Sequence, residues 1–354
     1  MTSIFDSIAL GGHKLQNRFV MAPMTRSRAQ LDGSPGGLAA AYYAQRAGVG
    51  LIIAEGTQPS ADGQGYLSTP GIYTQAHIDG WRQITDAVHK KNGRIYIQLM
   101  HVGRMSHPDN TPHHRIGLAP SAISPASQIF TPTGLQDIPT PRAMEFDDIK
   151  KTIEEFRFAA RCAIEAGADG VEIHAANAYL IHQFLAESSN TRTDRYGGSL
   201  ENRARFALEV AKAIADEIGS DKTGIRLSPG MKLWGIDEGE HGADLYRYLT
   251  VELDKLGLSY LHIMHLGDDK LLNDIRSHWR GNIILNRPGK ERSLIGQDIE
   301  AGLADLESYG AMILANPDFV QRLKLKAPLN EPDHATYFGG NEVGYTDYKE
   351  FSYS

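Results

Sequence analysis

The chain has 354 residues, of which 41% are hydrophobic and 22% are charged, and its formal net charge is −7. This composition is typical of a globular protein with a large core, and charges of both signs are interspersed. Nucleic-acid binding and a membrane span are not expected, because no basic patch and no run of about 18 apolar residues occurs. The first ten residues lack the features of a signal peptide, which favours a cytoplasmic protein.

The chain alternates between short apolar runs and longer amphipathic stretches, which predicts repeated strand–helix units. The predicted strands cover residues 19–22, 50–55, 94–100, 170–174, 224–228, 260–265, 282–286 and 305–310. The predicted helices include residues 76–91, 146–166, 200–218 and 243–256, and three of them end at Gly167, Gly219 and Gly257. Eight units without a clear linker predict one (β/α)8 barrel domain over residues 1–354. A doubly wound fold is less well supported, because no glycine-rich nucleotide turn follows the first strand.

Two segments lie outside this repeat. Residues 7–16 contain Gly11-Gly12 between apolar positions, which predicts a hairpin that closes the bottom of the barrel. Residues 107–141 are rich in proline and too long for a plain connection between the third strand and the next helix. We expect this elaborated loop to lie above the C-terminal face, where barrel enzymes build their active sites.

Polar side chains follow the fourth predicted strand at once. His174 ends that strand, and Asn177 and Tyr179 come directly after it. Two side-chain donors that converge on one oxygen would polarise a carbonyl group, and a nearby phenol could deliver a proton. By spacing alone, a structural role for these residues is equally compatible with the pattern.

This segment belongs to a longer stretch that closely resembles the signature of the old yellow enzyme family. The stretch continues with Ser188-Ser-Asn-Thr-Arg-Thr-Asp-Arg-Tyr-Gly-Gly-Ser-Leu-Glu-Asn-Arg203. Similar motifs occur at residues 22–26, 53–57, 224–229 and 344–348, so the resemblance spans almost the whole chain. It implies a (β/α)8 flavoprotein that uses FMN, with NADPH or NADH as reductant. It also implies ping-pong reduction of the C=C bond of a small enone or nitro compound.

The resemblance assigns the catalytic role to Tyr179 as proton donor, with His174 and Asn177 as oxygen ligands. The flavin-binding positions that it implies are Pro23, Met24, Thr25, Gly56, Gln98, Arg226, Asn286, Arg287, Gly310 and Ala311. The substrate-binding positions that it implies, besides His174 and Asn177, are Tyr66, Met100 and Tyr337. Arg226 would stabilise the negative charge of reduced flavin. From the residues alone, an ion pair between Arg226 and Glu172 is the simpler interpretation.

The chain departs from the family where the FMN phosphate is expected. Strand seven is followed by Asn286-Arg287-Pro288-Gly289-Lys290 instead of a glycine-rich turn, and Ala311 replaces an expected arginine after strand eight. Backbone amides at helix N-termini can still hold a phosphate, and Arg287, Lys290 or Arg292 could supply charge from this loop, with Arg287 as the preferred substitute. Loss of one charge-assisted contact would weaken FMN binding by about tenfold to a hundredfold if nothing replaced it.

The sequence is also compatible with other functions. A flavin-poor barrel that acts as a small-molecule binding protein would explain Ala311, although Tyr179 argues against it. A flavin-free aldolase or isomerase needs a lysine or carboxylate base at a strand end, and no predicted strand ends in lysine. The histidines do not have metal-ligand spacing, so no metal site is predicted. The single cysteine, Cys162, is predicted to be a reduced core residue.

Overall fold

Parallel strands form the centre of the structure, a computed structural model that describes residues 2–267 and 269–352. Within those residues, eight strands close a barrel in the order β10-β11-β12-β13-β14-β3-β4-β5, with the strands numbered along the chain as follows: β1 Ile8–Leu10, β2 His13–Leu15, β3 Phe19–Met21, β4 Leu51–Ile53, β5 Ile95–Leu99, β6 Leu118–Ala119, β7 Gln128–Thr131, β8 Gly134–Asp137, β9 Arg142–Ala143, β10 Gly170–His174, β11 Thr223–Leu227, β12 Tyr260–Met264, β13 Asn282–Asn286 and β14 Leu306–Tyr309. The predicted barrel is confirmed, and each of its strands coincides with a predicted apolar run. The predicted single domain, 1–354, includes residues 1, 268, 353 and 354, which lie outside the described residues.

Helices cover the outside of the barrel and pack their apolar faces on it. In chain order they are α1 Ala39–Gln45, α2 Gln75–His89, α3 Phe146–Glu165, α4 Leu180–Leu185, α5 Leu200–Ile218, α6 Gly242–Asp254, α7 Asp269–His278, α8 Gln297–Glu300, α9 Ala311–Ala315 and α10 Phe319–Leu325. Gly167, Gly219 and Gly257 have φ angles of 86°, 96° and 65°, so each lies in the left-handed region just after a helix. The predicted helix ends are therefore confirmed. Cys162 is buried and free within α3.

The N-terminal hairpin closes one end of the barrel, as predicted. β1 and β2 pair in antiparallel fashion, and Gly11 and Gly12 both have positive φ angles, of 59° and 75°. Two such residues form the turn that matches the twist of a hairpin. Leu10 and Leu15 pack on inward-facing barrel residues such as Val20. A Cβ on Gly11 would lie 2.2 Å from the Tyr96 hydroxyl oxygen, so this close approach requires glycine.

The proline-rich loop folds into small sheets above the other end of the barrel. β6 pairs with β9, and β7 pairs with β8 in a hairpin that brings Ile129 and Phe130 to the cavity described below. The predicted elaborated loop after the third barrel strand is confirmed. Among the described residues, none of the helices is both long and apolar enough to cross a membrane.

Candidate active site

A cavity of about 920 Å³ opens where the C-terminal ends of the barrel strands meet their loops. Its volume is at the upper end of the range for small-molecule and cofactor sites. Most of its wall is apolar, and its lining residues are Met24, Thr25, Arg26, Ser27, Tyr66, Leu67, Ser68, Gln128, Ile129, Phe130, Tyr179, Trp234, Gly310, Ala311, Leu314, Tyr337, Phe338 and Gly339.

The turn after β10 places three predicted residues at this end of the barrel. His174 ends the strand, and Asn177 and Ala178 follow with φ angles of 55° and 65°. Left-handed backbone is uncommon for alanine, and such strain concentrates at functional sites. The amide N–H of Asn177 donates to the Ser228 hydroxyl oxygen over 2.8 Å and holds the turn. Tyr179 is thereby directed into the cavity just before α4 begins.

His174 and Asn177 each have a buried polar atom without a hydrogen-bond partner. These atoms are Nδ1 of His174 and Oδ1 of Asn177. Burial lowers the pKa of His174 well below its ordinary value, and the nearby charges of Arg226, His262 and His182 lower it further. The imidazole is therefore neutral near pH 7 and presents one N–H donor and one acceptor.

Tyr179 is a protonated phenol in contact with a second phenol. Its hydroxyl oxygen lies 3.0 Å from that of Tyr66. Burial raises the pKa of Tyr179 well above its ordinary value, and the Tyr66 phenol adds to this effect. Burial also raises the pKa of Tyr66 to about 12. The Tyr179 ring packs against His174, with 5.2 Å between ring centroids, and against Trp234, at 6.0 Å.

Arg226 is a buried cation at the same end of the barrel, and only part of its guanidinium is hydrogen-bonded. It pairs directly with His174 in the parallel register between β10 and β11. Its Nη2 donates to Oδ1 of Asn286 over 2.9 Å, whereas its buried Nε and Nη1 atoms have no partner. Burial lowers the pKa of Arg226 from its ordinary value, but an arginine remains charged at neutral pH.

Glu172 is not the direct partner of Arg226 that the sequence suggested. Its carboxylate accepts a hydrogen bond from Nε2 of Gln98 over 2.8 Å, and its other oxygen lies 2.8 Å from Nδ1 of His262. Nε2 of His262 in turn lies 2.8 Å from the Ser308 hydroxyl oxygen. This buried network holds Gln98 near the centre of the barrel. Arg226 therefore hydrogen-bonds to Asn286 and not to Glu172.

The structure brings seven of the sixteen predicted site residues to the wall of one cavity. Met24, Thr25, Tyr66, Gly310, Ala311 and Tyr337 line it together with Tyr179. Met100 is buried in an apolar cluster against which Tyr66, Tyr179 and Trp234 pack. Gly56 lies behind Met100, because a Cβ there would come within 2.6 Å of the Met100 thioether. Pro23 immediately precedes the lining residue Met24.

Arg287 does not supply the unpaired cation that the sequence suggested. It lines a separate cavity of about 560 Å³. Its Nη2 lies 2.8 Å from a carboxylate oxygen of Asp269, and its Nε lies 3.1 Å from one of Asp298. The guanidinium is paired because the two carboxylates reach it from α7 and α8. Spacing along the sequence does not indicate that contact.

Two further residues of the cavity wall were not identified from the sequence. Trp234 has a φ angle of 49° in the loop after β11, and this left-handed backbone is rare for a bulky residue. Arg26 is buried, and its guanidinium lies over the rings of Tyr42 and Tyr345. The glycine at position 235 is a feature of the sequence that could indicate a turn beside Trp234. Nothing in the sequence indicates the aromatic partners of Arg26.

Comparison with known proteins shows the family of the chain over nearly its full length. Residues 3–330 match the NADH:flavin oxidoreductase / NADH oxidase family. The chain belongs to this family. It is 43% identical to 12-oxophytodienoate reductase 1 of Oryza sativa subsp. japonica, over 96% of this chain and 90% of that protein. It is 39% identical to a probable flavin mononucleotide-dependent alkene reductase of Leishmania infantum, over 96% and 95% of the two chains.

Solved structures of the flavin oxidoreductase family agree with the fold. Morphinone reductase in complex with tetrahydroNAD superposes with a TM-score of 0.95 at 43% identity, over 99% of this chain and 98% of that one. The old yellow enzyme homologue from Zymomonas mobilis has a TM-score of 0.95 at 36% identity, over 98% and 99%. The expected old yellow enzyme type, an FMN-dependent oxidoreductase with a nicotinamide reductant, is thereby confirmed.

The residues at the strand ends fit the ring system of the flavin. The unbonded Nε and Nη1 atoms of Arg226 are donors suited to the pyrimidine oxygens of an isoalloxazine ring. The cavity is large enough for a tricyclic ring and a small substrate. The phosphate end fits less well, because Gly310 and Ala311 bring no charge to the cavity wall and Arg287 is paired elsewhere.

Proposed function

We propose that this member of the family reduces the activated C=C bond of small α,β-unsaturated carbonyl or nitro compounds, with His174, Asn177 and Tyr179 as the groups that act on the substrate. The observation that carries the proposal is their arrangement on one turn. A buried imidazole nitrogen of His174 without a partner, and the neighbouring Asn177 amide, adjoin a buried, protonated phenol that faces the cavity. The names of the alkene reductase and morphinone reductase relatives support the same substrate class.

His174 and Asn177 would bind the substrate oxygen. Hydrogen bonds from a neutral imidazole N–H and an amide N–H stabilise the negative charge that develops on that oxygen during reduction. The low pKa of His174 supports a hydrogen-bonding role over an ionic one, since the imidazole remains neutral. These two groups would also fix the orientation of the double bond above the cofactor ring.

When bound, FMN would supply the hydride chemistry, with NADPH or NADH as the reductant. Tyr179 would then deliver a proton to the α-carbon from its hydroxyl oxygen, while the hydride adds to the β-carbon. Its raised pKa keeps the phenol protonated until a strong carbon base forms beside it. Tyr66, 3.0 Å away, would hold the Tyr179 hydroxyl in position, and water would restore the proton.

Arg226, Thr25 and Gln98 would hold the cofactor ring. The fixed positive charge of Arg226 would stabilise reduced flavin, because its buried position strengthens electrostatic interaction with an adjacent anion. Pro23, Met24 and Gly56 would contact the ring through backbone and apolar atoms. Asn286 would act through Arg226, whose guanidinium it holds. Met100 and Tyr337 would shape the substrate pocket.

The decisive experiment is anaerobic absorbance spectroscopy of the purified chain with FMN. NADPH is expected to bleach the flavin band, and 2-cyclohexenone is expected to restore it in stoichiometric amount. Failure to take up FMN, or reduced flavin that the enone leaves unchanged, would contradict the proposal.

We expect cytoplasmic localisation on the basis of the sequence, and cell fractionation is the corresponding test.

A further inference from the structure

A group of five charged side chains, three of them buried, lies behind the ends of β13 and β14. This group, here called the Glu307 cluster, comprises Asp269, Arg287, Lys290, Asp298 and Glu307. Arg287 bridges Asp269 and Asp298, and Lys290 bridges Asp298 and Glu307 with N–O distances of 2.7 and 3.1 Å. Lys290, Asp298 and Glu307 have side-chain exposures of only 6%, 9% and 2%.

The Glu307 carboxylate occupies a set of donors that would suit a bound anion. It accepts hydrogen bonds from the backbone N–H groups of Gly296, over 2.8 Å, and Asp298, over 2.9 Å. It also accepts from the Tyr309 hydroxyl and from Lys290. Backbone N–H groups together with an ammonium group are typical phosphate ligands in proteins. Here the chain provides its own anion for them.

The charge balance of the Glu307 cluster is also unfavourable for a second anion. Three carboxylates face two cations, so the cluster carries a net charge of −1 when all its members are ionised. Arg292, in the same connection, donates its Nη2 to the carbonyl oxygen of Ala327. A phosphate group placed against this cluster would therefore meet repulsion and groups that are already bonded.

None of the five cluster residues lines the cavity of about 920 Å³, but one of them lies in a strand that ends at its wall. Glu307 lies in β14, which leads directly into the lining residues Gly310 and Ala311. Arg26 lines the same cavity, but its Nη2 donates to the carbonyl oxygens of Thr336 and Gly344. The unbonded Nε and Nη1 atoms of Arg226 lie at the ends of β11 and β13, close to the turn that carries His174.

We infer that this chain recognises its flavin by the isoalloxazine ring and gains little affinity from the phosphate, so that riboflavin binds about as tightly as FMN. The inference rests on the proposed function for the place of the ring. One charge-assisted hydrogen bond to the phosphate would favour FMN over riboflavin by about tenfold to a hundredfold. The Glu307 cluster engages two cations of the connection, Arg287 and Lys290, and the backbone N–H groups of Gly296 and Asp298.

The test is an equilibrium exchange on the full-length chain. The protein is dialysed against equal concentrations of FMN and riboflavin, and the two bound flavins are quantified by chromatography after release. We expect a bound FMN-to-riboflavin ratio within about threefold of one, since no net charge-assisted contact distinguishes them. FMN bound in more than about tenfold excess would overturn the inference and leave the proposed function intact. Uptake of neither flavin would overturn both.

Two substitutions should create the phosphate preference that the native chain lacks. Ala311→Arg places a cation at the cavity wall and should shift the ratio toward FMN by at least about tenfold, whereas the neutral control Ala311→Gln should not. Glu307→Gln removes the negative charge of the buried acid, retains an acceptor, and should shift the ratio toward FMN by about threefold or more. Unchanged ratios in Ala311→Arg and Glu307→Gln would refute the electrostatic reasoning.

Discussion

Replacement of Tyr179 by phenylalanine tests the proposed proton donor most directly. The change removes one hydroxyl oxygen and retains the ring, which packs against His174 and Trp234 at centroid distances of 5.2 and 6.0 Å. Tyr66 loses the partner that lies 3.0 Å from its own hydroxyl oxygen. The expected cost in folding stability is about 1 kcal/mol, the value of one hydrogen bond, so the variant should fold.

The effect on rate should be confined to the oxidative half-reaction. A positioned general acid contributes roughly 10²- to 10⁴-fold, which corresponds to about 3–5 kcal/mol of activation free energy. We therefore expect reoxidation by 2-cyclohexenone to slow by that factor in Tyr179→Phe. Reduction by NADPH needs no proton from Tyr179 and should change by less than about twofold.

Stopped-flow absorbance under anaerobic conditions measures the two half-reactions separately. Tyr66→Phe is the matched control, because it removes the neighbouring hydroxyl and keeps that of Tyr179. We expect this control to slow reoxidation by less than about tenfold, because it removes one neutral hydrogen bond that positions the Tyr179 hydroxyl. Equal slowing of both half-reactions in Tyr179→Phe, or no slowing of either, would refute the assignment of Tyr179 as proton donor.

Three other perturbations test the site and the fold. His174→Ala should weaken the binding of a phenolic ligand by about tenfold to a hundredfold in a spectral titration, and unchanged affinity would exclude His174 as an oxygen ligand. Burial raises the pKa of Glu55 from 4.5 to about 7. Between these pH values the native state therefore binds more protons than the unfolded state. The contribution of Glu55 to the free energy of unfolding should fall by roughly 3 kcal/mol as pH rises from 4.5 to 7. In urea denaturation at pH 5 and pH 8, the free energy of unfolding of the native protein should fall by this amount relative to that of Glu55→Gln, and identical pH dependence in the two would contradict the assignment. Leu15→Ala, in the buried hairpin, should lower the free energy of unfolding by about 2–5 kcal/mol in the same assay, and a change below about 1 kcal/mol would mean that the hairpin does not stabilise the barrel.

The barrel could be predicted because its signals are local and repeated. A strand such as β4, Leu51–Ile53, is buried along its whole length and therefore appears in the sequence as a continuous apolar run. The hairpin was predictable for a similar reason, since Gly11 and Gly12 mark a turn that few other residue pairs can form. The turn from His174 to Tyr179 brings its groups together within six residues, so the centre of the candidate site was also predictable.

Contacts between distant segments were predicted less well. The sequence suggested Glu172 as a partner for Arg226, but the parallel register and the His262 network leave the guanidinium to Asn286. Trp234 enters the cavity wall only because its loop adopts left-handed backbone. Neither result follows from spacing along the chain, because both depend on how strands and loops are aligned in space.

The sequence by itself determined the strand–helix order, the hairpin and the residues of the turn after β10, since these depend on apolar periodicity and local backbone preference. It also showed that an expected arginine is replaced at Ala311. Only the tertiary structure decided what surrounds that position. Carboxylates from separate elements converge on Arg287 and Lys290, and Glu307 takes the backbone donors of the connection. Charge compensation of this kind depends on distances of a few ångströms between segments far apart in sequence, which the order of residues does not specify.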